Sequence, residues 1–203
     1  MTSTKVSRKD VLLRLGAALD ERDILVAALA GTTNECFHNL HRPANLYLVG
    51  MGMVTPVSFG LAQALPRRNI IALDTDGSLL LAPSILPVVG MYRPKNLCIV
   101  AFDNERLYGS RGGPPSQTAH GSDLAAMAKA AGIEMTATTG SADGFNDQFS
   151  RFSRSGGPAL IVCKIEAGYT RGAGPDFNGQ ENKFRFVRFI EQTEGIKILE
   201  GSV

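Results

Sequence analysis

Apolar and polar positions along this chain follow two rhythms that alternate. The first segment has the helical one: Val11, Leu12, Leu15, Ala18 and Leu19 fall on a single stripe. Ser7 is placed as its N-cap with Asp10 at the third helical position, an Asp version of the capping box, and Val6 and Val11 are spaced as a hydrophobic staple. Residues 24–30 are then a short continuous apolar run, the mark of a strand buried on both faces. Gly31-Thr32-Thr33-Asn34 leads into a short helical stretch ending at Leu40, and residues 46–49 make a second strand. Thr55-Pro56 opens a helix, since proline in a first turn needs no backbone donor. Further strands are expected at 69–73, 97–102, 134–138 and 159–165, with helices at 79–91, 123–131 and 142–152. Residues 183–191 read as a helical tail with Phe184, Val187 and Phe189 available to pack.

Strand–helix–strand alternation predicts an α/β fold: one three-layer domain over residues 1–203, a mostly parallel sheet with helices on both faces, and a short C-terminal helical tail. The chain shows no internal repeat and no low-complexity segment. Two loops rich in Gly and Pro, 103–121 and 168–180, are long for a compact domain, which marks them as functional or mobile.

Composition removes several function classes. At 203 residues the chain is long enough to bury a full core. The formal net charge is only +2, with acids and bases intermixed, so neither a nucleic acid nor an anionic membrane is called for as partner. No run of about 18 apolar residues is present to span a bilayer. The N-terminus lacks an apolar signal core, and a cytoplasmic location is expected. Cys36, Cys98 and Cys163 are scattered, odd in number and without a C-x-x-C pair, which predicts buried reduced thiols. His38, His41 and His120 show no metal-ligand spacing. His120 and Arg111 lie in the first Gly/Pro-rich loop. There they are candidates to meet an acidic substrate or relay a proton, and ordinary solvated loop residues fit the same pattern.

Ligands of an open parallel sheet bind beyond the carboxyl ends of its strands. The residues that follow the strands here are small, hydroxylic or acidic: Gly31-Thr32-Thr33, Gly50-Met51-Gly52, Asp74-Thr75-Asp76-Gly77-Ser78 and Asp103-Asn104-Glu105. If the strands preceding Asp76 and Asn104 pair, they lie about 4.8 Å apart and their loops converge. A carboxylate and an amide oxygen beside Gly77 and Ser78 suit magnesium, which takes hard oxygen ligands and completes its shell with water and phosphates. Gly77 lets backbone approach a phosphate, Ser78 can donate to one, and a helix starting near Leu79 directs its positive dipole at an anion. Gly50-x-Gly52 with Asp74 also permits a nicotinamide dinucleotide reading, although Thr55 stands where a third glycine belongs.

Thr75-Asp76-Gly77-Ser78 followed by Asp103-Asn104 resembles the G-D-G-S…N-N motif of thiamine diphosphate enzymes. Asn104-Glu105, Tyr108-Gly109-Ser110, Gly112-Gly113, Gln117-Thr118 and Gly121-Ser122-Asp123-Leu124 are similar to sulfopyruvate decarboxylase beta subunits and phosphonopyruvate decarboxylases. So are Arg42-Pro43, Leu46-Tyr47 and Gly50-Met51-Gly52. The resemblance implies thiamine diphosphate and Mg2+ as cofactors and a 2-oxoacid decarboxylase activity. It implies Asp76, Asn104 and the carbonyl of Arg106 as metal ligands. The segment Glu105-Arg106-Leu107-Tyr108 runs one residue long, which leaves Leu107 as the alternative carbonyl. It also implies diphosphate contacts at Gly31, Thr32, Gly77 and Ser78, with Gly50, Tyr108 and Gly109 in the cofactor-binding run. Met51 would be the wedge that bends the cofactor, and the Val49 carbonyl the acceptor for its aminopyrimidine. Three positions depart from the pattern: Thr75 for the first Gly, Asp103 for the first Asn, and Val49-Gly50 for Gly-Ser. Thr75 is expected to crowd the phosphates; Asp103 adds negative charge beside the metal. The glutamate that activates the pyrimidine ring belongs, in that family, to a separate domain. The resemblance therefore implies an alpha-type partner subunit, a site at a subunit interface and a homo- or hetero-oligomer. A non-catalytic binding or regulatory protein that kept the fold is the other reading.

Overall fold

A computed structural model describes residues 5–109, 112–152, 156–170 and 172–199. One six-stranded sheet, every pairing parallel, has the order β2-β1-β3-β4-β6-β5. The strands are β1 (Ile24–Ala28), β2 (Asn45–Val49), β3 (Ile70–Thr75), β4 (Leu97–Asp103), β5 (Met135–Thr139) and β6 (Ala159–Lys164). All six lie where the apolar runs put them. β1 stops at Ala28 and not at residue 30, because Ala30 takes a left-handed φ and turns the chain into the next helix.

Two cores sandwich the sheet. Leu25, Ala27, Ile71, Leu73, Val100 and Ile161 face α1 (Arg8–Ala18), α2 (Gly31–Leu40) and α7 (Ala142–Phe152). Ile24, Val26, Ile70, Ala72, Ile99 and Leu160 face α3 (Val54–Ala64), α5 (Ile85–Tyr92), α6 (Leu124–Ala130) and α8 (Gly179–Glu194). Alternation along β1, β3, β4 and β6 thus feeds two apolar layers, which is why their central positions are all apolar, whereas the edge strand β5 carries Thr136, Thr138 and Thr139. Cys36, Cys98 and Cys163 are all buried and free in these cores, as expected, and burial pushes the Cys36 and Cys98 thiols up to about 12.

Helix ends follow local chemistry. Ser7 Oγ accepts the Asp10 N–H at 3.1 Å, so the N-cap of α1 stands where expected. The single helix expected over 79–91 is broken: α4 (Asp76–Leu79) and α5 are separate. Pro83 is the cause, since it lacks a donor and drives the residue before it out of helical geometry. The tail helix is longer than expected. It begins at a full capping box, in which Asn178 Oδ1 accepts from Glu181 N and Glu181 Oε2 accepts from Asn178 N. Its buried face carries Phe186 and Ile190, while Phe184 is exposed, contrary to the sequence reading. The Asn182 side chain bonds both the N–H and the carbonyl of Tyr47, covering the edge strand β2.

The far end of α8 is clamped by Glu194, which accepts from Arg68 Nε, from Arg67 Nη2 at 3.2 Å and from Arg22 Nη2 at 3.3 Å. The Arg68 contact first, then Arg67, draws its pKa from 4.5 to about 2. A depressed carboxylate stabilises the fold above its unfolded pKa and loses that contribution as pH falls through the folded one. Between about pH 4.5 and 2 the wild type is therefore expected to lose melting temperature more steeply than Glu194→Gln. Parallel curves by circular dichroism would rule the clamp out.

Candidate cofactor site

Strand order reverses between β2 and β3, which flank β1 on opposite sides. That switch point opens a crevice at the carboxyl edge. A cleft of about 280 Å³ fills it, lined by residues after β1 (Ala28, Leu29, Ala30, Gly31), after β3 (Thr75, Asp76, Gly77, Ser78) and after β4 (Asn104, Arg106, Leu107, Tyr108). Arg8, Asn34, Met51 and Tyr169 complete it. β3 and β4 pair in register, Thr75 opposite Phe102, so the loops carrying Asp76 and Asn104 leave the sheet side by side.

Asp76 is 1 % exposed and opens α4, whose N-cap Thr75 accepts the Ser78 N–H at 3.3 Å. Thr75, which departs from the family motif, thus serves as a helix cap. Asp76 Oδ2 accepts from Ser116 Oγ at 2.5 Å and Thr118 Oγ1 at 3.2 Å. Burial pushes its pKa up; the Ser116 bond opposes this and nearby Asp103 adds to it. Asn104 Oδ1 accepts from Arg106 N at 3.0 Å, which holds the amide oxygen over the loop that carries the candidate carbonyl ligand. Leu107 packs above Gly77, where a Cβ would come within 3.0 Å of its Cδ2.

Asp103 does not leave a bare charge beside Asp76. Its Oδ2 pairs with Lys164 Nζ at 2.6 Å, and its Oδ1 accepts from Thr118 Oγ1 at 2.7 Å and Glu105 N at 3.0 Å. Burial works against the Lys164 charge, but Asp103 and Glu105 outweigh it and raise its pKa. Lys164 and Ser116 were missed in the sequence, and Thr118 was named only within the Gln117-Thr118 resemblance, without a role. Lys164 ends a strand on the far side of β4, and the two hydroxyls sit in the irregular 103–121 loop. No spacing along the chain links the lysine to the two hydroxyls.

Several expected cofactor contacts are engaged within the protein. Ser78 Oγ accepts the Gly52 N–H at 3.0 Å, tying the second loop to the third. The Val49 carbonyl accepts the Leu29 N–H at 2.9 Å, and neither Val49 nor Gly50 lines the cleft. The bulge in the β1–β2 register, with Leu48 at φ 57°, brings this about. Thr32 is buried and outside the cleft wall; Gly31 is part of it. Thr33, the last of the Gly31-Thr32-Thr33 cluster, stitches the bulge, donating to Ala28 O and accepting from Leu48 N. His120 is exposed and away from the cleft. Gly109 closes a single 3-10 turn with Leu107 and Tyr108, and Arg111 lies outside the described residues. Asp74 is fully buried, with Thr55 Oγ1 donating to it at 2.7 Å, so it offers nothing to a ribose hydroxyl.

Ala30, on the cleft wall, has φ 62° and ψ −128°, a region that only glycine enters without strain. Ala30→Gly is expected to stabilise the fold by about 1 kcal/mol, the relief of strain exceeding the added unfolded-state entropy. A urea midpoint at or below that of the wild type would contradict this.

The donor set fits a magnesium diphosphate. Asp76, with its buried carboxylate, and Asn104, with its amide oxygen, line one cleft together with Arg106 and Leu107, and glycines at 31 and 77 stand in its wall. Among the described residues no group of three His, Cys, Asp or Glu side chains could hold a metal by itself, so further ligands would come from phosphate and water.

Comparison with known proteins shows the family and the fold. Residues 28–163 match the family model described as thiamine pyrophosphate enzyme, C-terminal TPP binding domain. The sulfopyruvate decarboxylase of Methanosarcina acetivorans is 32% identical over 91% of this chain, which spans only 47% of that protein. The sulfopyruvate decarboxylase subunit beta of Methanocaldococcus jannaschii is 27% identical, and the match covers 92% of this chain and 98% of that one. In fold, the thiamine diphosphate-dependent 4-hydroxybenzoylformate decarboxylase of Rhodococcus jostii RHA1 superimposes with a TM-score of 0.70 at 19% identity, over 84% of this chain and 34% of that one. More than half of the chain matches the family model, and the chain belongs to the thiamine pyrophosphate enzymes as a C-terminal-type TPP-binding domain.

Proposed function

We propose that this chain is the diphosphate- and magnesium-binding subunit of a thiamine diphosphate-dependent 2-oxoacid decarboxylase, a carboxy-lyase, acting with a pyrimidine-binding partner. The observation that carries this reading is the convergence of Asp76 and Asn104 beyond adjacent strands, in a cleft walled by Gly31, Gly77 and Met51. Thiamine diphosphate, when bound, would supply a nucleophilic ring carbon and a cationic thiazolium ring that takes up the negative charge left by decarboxylation. The chain's own residues do the rest. Asp76 and Asn104, with the carbonyl of Arg106 or Leu107, hold the metal. Gly31 and Gly77 admit the phosphates, with Ser78 and the turn Leu107–Gly109 alongside. Ser116 and Thr118 fix the Asp76 carboxylate, and the Lys164 pair keeps Asp103 from repelling the diphosphate. Met51, 37 % exposed on the cleft wall, is placed to set the cofactor's bend.

The matched domain is of the C-terminal TPP-binding type, and the beta-subunit name of the Methanocaldococcus relative supports an alpha-type partner bringing the activating glutamate. Sulfopyruvate- or phosphonopyruvate-like 2-oxoacids are the proposed substrates, and a cytoplasmic oligomer the proposed setting. No helix among the described residues is long and apolar enough to cross a membrane. Titration calorimetry with thiamine diphosphate tests the core of the reading. Binding should require Mg2+ and vanish with excess chelator; chelator-insensitive binding would remove the metal from the site.

A further inference from the structure

The N-terminal segment crosses the carboxyl edge of the sheet. Val6 bridges to Ile165, Lys5 Nζ meets Glu105 Oε2 at 2.7 Å, and Arg8 reaches the wall of the cofactor cleft. Arg8 is 5 % exposed, an unusual degree of burial for a cation. Its Nη1 donates to the buried Glu35 Oε2 at 2.5 Å, and its Cζ lies 5.5 Å from the centre of the Phe102 ring, two residues before Asn104. Glu35 is held in turn by the Thr170 N–H, 2.8 Å from its other oxygen. The guanidinium fork carries several donors, and its Nε is buried with no hydrogen-bond partner among the described residues. A buried donor without an acceptor is costly, so a cationic fork kept partly unpaired on a cleft wall is suited to an incoming oxyanion. Gly31 makes the approach possible: a Cβ there would sit 3.2 Å from Arg8 Nη1 and 3.3 Å from Tyr169 Cβ.

We propose that Arg8 binds the diphosphate oxyanion of the cofactor, with Glu35 and Phe102 holding its fork in place; this rests on the cofactor reading above. Asp76 offsets part of the metal's charge, which leaves the diphosphate incompletely neutralised. The guanidinium supplies the balance, and Glu35 fixes its direction without occupying the whole fork.

The test is titration calorimetry on the full chain with Mg2+, using thiamine diphosphate and inorganic diphosphate as separate probes. Arg8→Gln should weaken both by about 10- to 100-fold, the loss of a charge-assisted contact. Because Arg8→Gln leaves Glu35 buried and unpaired, the double variant Arg8→Met/Glu35→Met removes the pair together and should fold while showing the same loss. A folded double variant that binds both probes as tightly as wild type overturns the assignment, because a packing role alone would move the melting temperature and leave the affinities unchanged. A wild-type chain that binds neither probe would overturn the cofactor reading itself and this inference with it.

Discussion

Asp76→Asn is expected to abolish magnesium-dependent cofactor binding while leaving the metal-free fold at least as stable as wild type. The substitution preserves an oxygen to accept from Ser116 and Thr118, so the loop keeps its anchor. What it removes is a buried negative charge close to a second carboxylate, Asp103, an arrangement that desolvation and repulsion both penalise. On the proposed reading the metal would lose its one charged ligand, and an affinity loss of at least about 100-fold is expected. Calorimetry reads the binding and a thermal melt reads the stability. Retained affinity would place the metal elsewhere; a large fall in melting temperature would make Asp76 a structural residue.

The second large effect concerns assembly. With saturating thiamine diphosphate and Mg2+, the chain alone is expected to show no decarboxylation of a 2-oxoacid, and a subunit carrying the pyrimidine-activating glutamate should restore it. Around the cleft, Leu29, Met51, Met53, Leu81, Tyr108 and Tyr169 are exposed large apolar side chains, a surface suited to being covered. In the assembled enzyme Met51→Ala should lower kcat by at least about tenfold with a smaller change in cofactor affinity, because the wedge acts on the bound conformation. Turnover by the purified chain alone would refute the split site, and equal losses in kcat and affinity would make Met51 a simple contact.

Residues whose role follows from local pattern were legible in the sequence. Apolar runs such as 97–102 and 159–165 declare doubly buried strands, and the placement of Asp76 and Asn104 on one cleft follows from their position after two such strands. Legibility ends where partners are far apart in the chain. Lys164 neutralises Asp103 because β4 and β6 are neighbours, and strand order is not written in either segment. The β1–β2 bulge was equally invisible, although it turns the Val49 carbonyl toward Leu29. The break at Pro83 and the Asn178–Glu181 box, by contrast, were readable signals that the helical periodicity on either side masked.

The burial of all three cysteines makes the chain a quiet background for labelling. Alkylation requires thiolate, and Cys36, Cys98 and Cys163 are shielded and held protonated by their surroundings. A thiol introduced by Tyr108→Cys would stand alone in reactivity, on a rim position that is 78 % exposed. A fluorophore placed there would sit at the mouth of the cleft and turn ligand arrival into a measurable time course.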